Sequence, residues 1–200
     1  MRILLAEDQA MLRTALATLL QLEPDFDLVA QVERGDEVLE AARVSAPDVA
    51  LLDIELPGAS GLDVAPQLLA EFPECTVVIL TTFGRPGYLK RALEAGARGF
   101  LVKDAPVSQL AEQIRAAAAG SIVVDPALAA SALSSPPNPL TDREREVLTA
   151  GSDGSSIAAI AERLHLSEST VRNYLSVAIG KTGTHNRVAA ERTARESGWL

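Results

Sequence analysis

Five short, strongly apolar runs, each separated from the next by one stretch of helical character, constrain this chain more than any other feature. They are ILLA (3–6), FDLVAQV (26–32), VALLD (49–53), TVVIL (76–80) and GFLVK (99–103). The intervening stretches include Met11–Leu20, where Leu12, Ala15, Leu16 and Leu19 recur at helical spacing, and Val107–Ala119, where Leu110, Ile114 and Ala117 do so. Strands this apolar, alternating with single helices, predict a parallel sheet covered on both faces. Residues 1–122 are therefore expected to form a doubly wound, five-stranded parallel (βα)5 domain. Sites in such sheets lie at the carboxyl ends of the strands.

The next segment, 123–137 (VVDPALAASALSSPP), is rich in Pro, Ser and Ala and carries one charge. It reads as a linker with a short helical piece. Residues 138–200 show helical signals and no β-like alternation. Thr141 with Glu144 has the pattern of a capping box. Ser155 or Ser156 starts a second helix, Ser167 a third and Asn186 a fourth, so the second domain is expected to be all-α. At 200 residues the chain suits two small domains.

The sequence contains no run of about 18 uncharged apolar residues, so no membrane span is expected. The opening MRILLAED lacks the long apolar stretch and small-residue site of a signal peptide. The single Cys75 cannot form an internal disulfide and reads as a small hydrophobe leading into a strand. A cytoplasmic location is expected. The net charge of −9 is unevenly placed: residues 1–138 hold 10 Lys and Arg against 19 Asp and Glu, while residues 139–200 hold 8 of each. All of the acidity lies in the first domain, and the second is neutral.

In a doubly wound sheet, Glu7 and Asp8 after the first strand, Asp53 ending the third, Thr81 ending the fourth and Lys103 ending the fifth share one edge. Three converging carboxylates repel one another unless a cation sits between them. Mg²⁺ suits a site with one or two carboxylates and several waters. An Asp in such a site can act as the nucleophile that forms an aspartyl phosphate, with a Lys ammonium and a hydroxyl to meet the phosphoryl oxygens. Singly these residues say little. An Asp ending a strand is commonly a turn former, and a Lys there is usually a solvated charge. The joint pattern is what points to a site.

The set AED, DIELPGASG, ILTTF and GFLVKD, in that order and spacing, resembles the receiver domain of bacterial two-component response regulators over residues 1 to about 122. The resemblance implies that Asp53 is the phosphoacceptor. It makes Asp8 a direct Mg²⁺ ligand, Glu7 a carboxylate assisting through water, and the backbone carbonyl of Glu55 a further ligand. It also makes Thr81 the switch hydroxyl, Lys103 the phosphate-pairing lysine and Phe100 the aromatic switch residue. Glu7 stands where many members have Asp, and Leu56 where many have Met.

The stretch from Asn138 to about residue 198 resembles the LuxR-type tetrahelical helix-turn-helix domain, and the two together resemble the NarL/FixJ class. Ile157–Leu164 is the first helix of the motif, His165–Leu166 the turn, and residues 168–179 the second helix, placed for the major groove. By that resemblance Arg172, Asn173 and Ser176 are candidates for base contacts, since Arg pairs with guanine and Asn with adenine. Thr170, Lys181, Asn186 and Arg187 are candidates for phosphate contacts, which position the domain without reading sequence. Gly180 inside the second helix, and Thr182 where a large apolar residue is usual, depart from the family pattern. The run TTFGRPGYLKRA further resembles the DesR-like regulators of membrane lipid desaturation.

The resemblance implies a sensor histidine kinase as phosphoryl donor, double-stranded promoter DNA with paired half-sites as target, a homodimer on phosphorylation, and RNA polymerase as a further partner. The responsive surface is expected around Arg85–Ala95 and Ser108–Ala119. Enzymatic turnover is not expected: phosphatases that use an Asp nucleophile usually carry a second Asp two residues on, and here that residue is Glu55. A regulator that keeps the fold without phosphorylation is also disfavoured, because Asp8, Asp53 and Lys103 are all present.

Overall fold

The computed structural model describes residues 1–81, 86–103, 107–133 and 137–200. The chain divides into two compact units, the second of which consists chiefly of Leu133–Leu200. The first is built on the strands β1 (Arg2–Ala6), β2 (Asp27–Val32), β3 (Val49–Asp53), β4 (Thr76–Thr81), β5 (Gly99–Val102) and β6 (Val123–Val124). They form one sheet in the order β2-β1-β3-β4-β5-β6, parallel at every pairing.

Helices α1 (Ala10–Gln21), α2 (Val38–Ser45), α3 (Gly61–Glu71), α4 (Pro86–Glu94) and α5 (Val107–Ala118) cross between the strands. Alternate strand residues face opposite ways, which explains the unbroken apolar runs. Ile3, Leu5, Leu51, Val78, Leu80 and Leu101 pack with Leu16 and Leu20 of α1 and Ile114 of α5. Leu4, Leu52, Ile79 and Phe100 pack on the other side with Val38, Leu62, Leu68 and Leu89. The winding reverses between β1 and β3, and such a reversal opens a crevice at the carboxyl ends of those strands.

The sheet has six strands, one more than the sequence predicts. Val123 and Val124 pair with Gly99 and Phe100 along the edge of β5, and the Val123 N–H donates to the Arg98 carbonyl at 2.8 Å. The following helix, α6 (Pro126–Leu133), buries Leu128 in the same apolar cluster as Phe100. The first part of the segment read as a linker is therefore packed against the sheet. Cys75, just before β4, is buried, and burial pushes its thiol up to about 11.

The second unit contains α7 (Asp142–Ala150), α8 (Ile157–Arg163), α9 (Glu168–Lys181) and α10 (Arg187–Glu196). Each begins at a side-chain cap. Thr141 and Glu144 form a reciprocal capping box, and Ser156, Ser167 and Asn186 cap the other three. Val147, Leu148, Ile160, Val171, Leu175, Ala178, Ala190 and Ala194 make the core. His165 turns the chain between α8 and α9 at φ 53°. α9 runs through Gly180 to Lys181, two residues beyond the predicted end. Two interactions hold that last turn: Lys181 Nζ lies 3.0 and 2.8 Å from the Glu144 carboxylate oxygens, and Thr182 Oγ1 donates to the Ala178 carbonyl at 2.9 Å. Among the described residues no helix is long and apolar enough to cross a membrane.

Candidate functional site

The crevice at the end of β1 and β3 collects the residues that the sequence singled out. Carboxylate oxygens of Glu7, Asp8 and Asp53 lie within 4.8 Å of one another. Lys103, at the end of β5, extends its ammonium to 2.6 Å from Glu7 Oε2 and 2.9 Å from Asp53 Oδ2. Its side chain and both partner carboxylates are no more than 3% exposed. Thr81 ends β4 and is buried, and its carbonyl accepts the Lys103 N–H at 2.9 Å. Phe100 is fully packed on β5, opposite Ile79 and two residues before Val102, the partner of Thr81. Glu55 lies in the exposed turn after Asp53.

The electrostatics follow from burial. Glu7 is pushed above the ordinary carboxylate range chiefly by burial and also by the Asp53 charge, and the Lys103 ammonium opposes both. One lysine thus stands against two buried carboxylates, with Asp8 beside them. An all-oxygen donor set of this kind fits a hard divalent cation, which would remove the remaining excess negative charge.

Two supporting residues escape a reading of motifs. Arg13 on α1 donates from Nη1 to the Glu7 carbonyl at 2.7 Å and to the Asp8 carbonyl at 3.4 Å, while its Nη2 pairs with Glu33 at 2.5 Å. It therefore fixes the backbone of the two acids after β1. Its partners are main-chain carbonyls, which leave no trace in side-chain patterns. Gly61 opens α3, and a Cβ there would lie 2.1 Å from the Asp53 carbonyl oxygen. Only glycine allows that approach. The signal in the sequence is the second glycine of LPGASG, at the first position of the helix.

In the helical unit, Arg172, Asn173 and Ser176 are exposed on α9. Arg172 is bonded to Glu168 one turn earlier at 2.6 Å. The residues expected at phosphates all have partners inside the unit. Thr170 Oγ1 lies 2.8 Å from Ser167 Oγ. The Asn186 carbonyl oxygen of the side chain accepts the Ala189 N–H at 2.9 Å. Arg187 donates to the Ser155 carbonyl at 2.7 Å, and Lys181 is held by Glu144. Glu144 is buried, which by itself raises its pKa, yet the bonds from Lys181 and Thr141 outweigh burial and hold it below the usual range. Within the surface expected to respond to phosphorylation, Arg85 lies outside the described residues.

Comparison with known proteins covers both units. Residues 3–115 match the response regulator receiver domain, and residues 138–194 match the bacterial regulatory proteins of the luxR family. The chain is 43% identical over 198 residues to the transcriptional regulatory protein DesR of Bacillus subtilis (strain 168), spanning 99% of this chain and 98% of DesR. It is 44% identical to the uncharacterized transcriptional regulatory protein YvfU of the same strain, spanning 100% of this chain and 99% of YvfU. Among solved structures it is similar to the response regulator ChrA of a heme-sensing two-component system, with TM-score 0.58, 32% identity and coverage of 100% of this chain and 98% of that one.

Proposed function

Because the chain belongs to the response regulators that join a receiver domain to a LuxR-type DNA-binding domain, we propose that phosphorylation of Asp53 controls its binding to DNA. The observation that carries this reading is the convergence of the Glu7, Asp8 and Asp53 carboxylates, with one buried lysine paired to Glu7 and Asp53. The receiver is assigned to residues 1–122 and the DNA-binding domain to 138–200.

Glu7, Asp8, Asp53 and the Glu55 carbonyl would hold Mg²⁺, which neutralises charge between the attacking carboxylate and the incoming phosphoryl group. The Asp53 carboxylate attacks phosphorus in a phosphohistidine of the kinase. The P–N bond breaks, an acyl phosphate forms, and the departing imidazole takes up a proton. Lys103 exchanges its contact with Asp53 Oδ2 for a phosphoryl oxygen, and the Thr81 hydroxyl donates to another. Phe100, on the strand beside Thr81, repacks with it. This local change of charge and packing biases a two-state element on α4 and α5. The second copy it recruits gives each DNA-binding domain a neighbour on paired half-sites, about 34 Å apart for one helical turn. DNA and a phosphohistidine donor are cytoplasmic partners, and RNA polymerase is the further partner at a promoter.

The test is to treat the protein with acetyl phosphate, or beryllofluoride with Mg²⁺, and follow mass by light scattering and affinity for duplexes selected from a random pool. The wild type is expected to double in mass and tighten on DNA. If Asp53→Ala responds equally in both assays, the mechanism is wrong.

A further inference from the structure

The exposed face of α9 contains a residue that nothing inside its own unit requires. Ser169, Arg172, Asn173, Ser176, Val177 and Gly180 are exposed along this helix. At 100° per residue they span roughly 140°, opposite the core side chains Val171, Leu175 and Ala178. Gly180 lies in the last turn of the helix proper, where glycine weakens the helix about fivefold relative to alanine. Its backbone is not in the left-handed region, and a Cβ built there meets nothing within 4 Å. Neither backbone geometry nor internal packing asks for glycine. The remaining reason for one is close approach of the backbone to a body outside the unit.

The neighbours of Gly180 indicate how that body is met. Val177, one turn earlier, is a large apolar side chain left 39% exposed. Lys181, next in sequence, is bound to Glu144. Arg172 is the one charged side chain on the face, and it is bonded to Glu168. The C-terminal half of the face thus presents shape and apolar surface, with no free cation.

Resting on the DNA-binding reading above, we infer that α9 meets the major groove at van der Waals distance at Gly180, and that Val177 covers the 5-methyl group of a thymine. Apolar contact with that methyl is a direct means of telling T·A from the other pairs. Specificity at this end of the helix comes from close fit, while Arg172 and Asn173 supply hydrogen bonds at the other end.

The probe is a duplex selected from a random pool by the two-domain protein treated with beryllofluoride and Mg²⁺. Gly180→Ala is expected to raise the thermal midpoint of the protein and, at the same time, to weaken the duplex about tenfold, within the range of one lost base-pair contact. A purely structural glycine would move both quantities in the same direction. Replacing one thymine per half-site by deoxyuridine should weaken the wild type about fifteenfold, the worth of two buried methyl groups, one in each half-site, and leave Val177→Ala unaffected. Tighter or unchanged binding by Gly180→Ala or Gly180→Lys overturns the close approach. An equal deoxyuridine penalty in wild type and Val177→Ala, or none at any thymine, overturns the methyl contact. Failure of the wild type to enrich any sequence overturns the DNA-binding reading itself, and this inference with it.

Discussion

Arg13 and Gly61 set the positions of the acidic residues without contributing a ligand atom. Arg13 ties down the carbonyls of Glu7 and Asp8, so its removal should loosen the metal site while leaving all three carboxylates in place. Outer-shell partners of this kind typically contribute 10–100-fold to metal affinity. Arg13→Met is expected to weaken Mg²⁺ binding by about tenfold, read as a smaller rise in thermal midpoint along an Mg²⁺ titration, with partial recovery in Arg13→Lys. Gly61→Ala puts a methyl group 2.1 Å from the Asp53 carbonyl oxygen, so the loop or the strand end must shift. Such overpacking costs about 1–3 kcal/mol. Urea denaturation should show that loss, and phosphorylation by acetyl phosphate should slow because the nucleophile itself is displaced. The acids, Thr81 and Lys103 were legible in the sequence because strand ends in a doubly wound sheet share an edge. Arg13 was not, since a contact to main-chain carbonyls looks the same in the sequence as a solvated charge.

At the level of elements, the helical unit depends on a tie between helix ends. Glu144 sits in the first turn of α7 as half of a capping box and also receives Lys181 from the last turn of α9. Lys181→Met leaves a buried acceptor short of its partner, a loss of about 1–3 kcal/mol. Its pH signature has a definite sign. The Glu144 carboxyl is held below its ordinary value of 4.5, so its stabilisation is complete above that pH and is lost as the pH falls through the folded-state value. The midpoint of the wild type should therefore drop on acidification below about pH 4.5 more steeply than that of Lys181→Met. Fluorescence of Trp199, the only tryptophan and packed against this core, isolates the unit in such a melt. The four helix starts were readable because Thr141, Ser156, Ser167 and Asn186 cap through their own side chains. The end of α9 was not: Gly180 weakens the last turn, and the partner that holds it lies 37 residues back. Strand β6 escaped for another reason, since two residues are too few to show alternation and Pro126 follows closely.

Across the whole molecule, charge is divided unequally between a receiver that carries all the net acidity and a neutral DNA-binding domain. On α9 the exposed cation Arg172 is already paired, so each domain releases few counterions. The salt dependence of binding should accordingly be shallow for one copy and about twice as steep for the phosphorylated pair, since the slope scales at about −0.9 per phosphate contact. Measuring log affinity against log salt with and without beryllofluoride checks this, and equal slopes would mean that activation adds no second reader. One further property follows from the lone buried thiol at the start of β4. With Cys75 pushed up to about 11, only about one molecule in ten thousand carries a thiolate there at pH 7. To a maleimide dye the native chain is effectively blank. A cysteine introduced at the exposed Met11 or Val188 would take the label alone, so pairs of dyes could report single molecules assembling on DNA in real time.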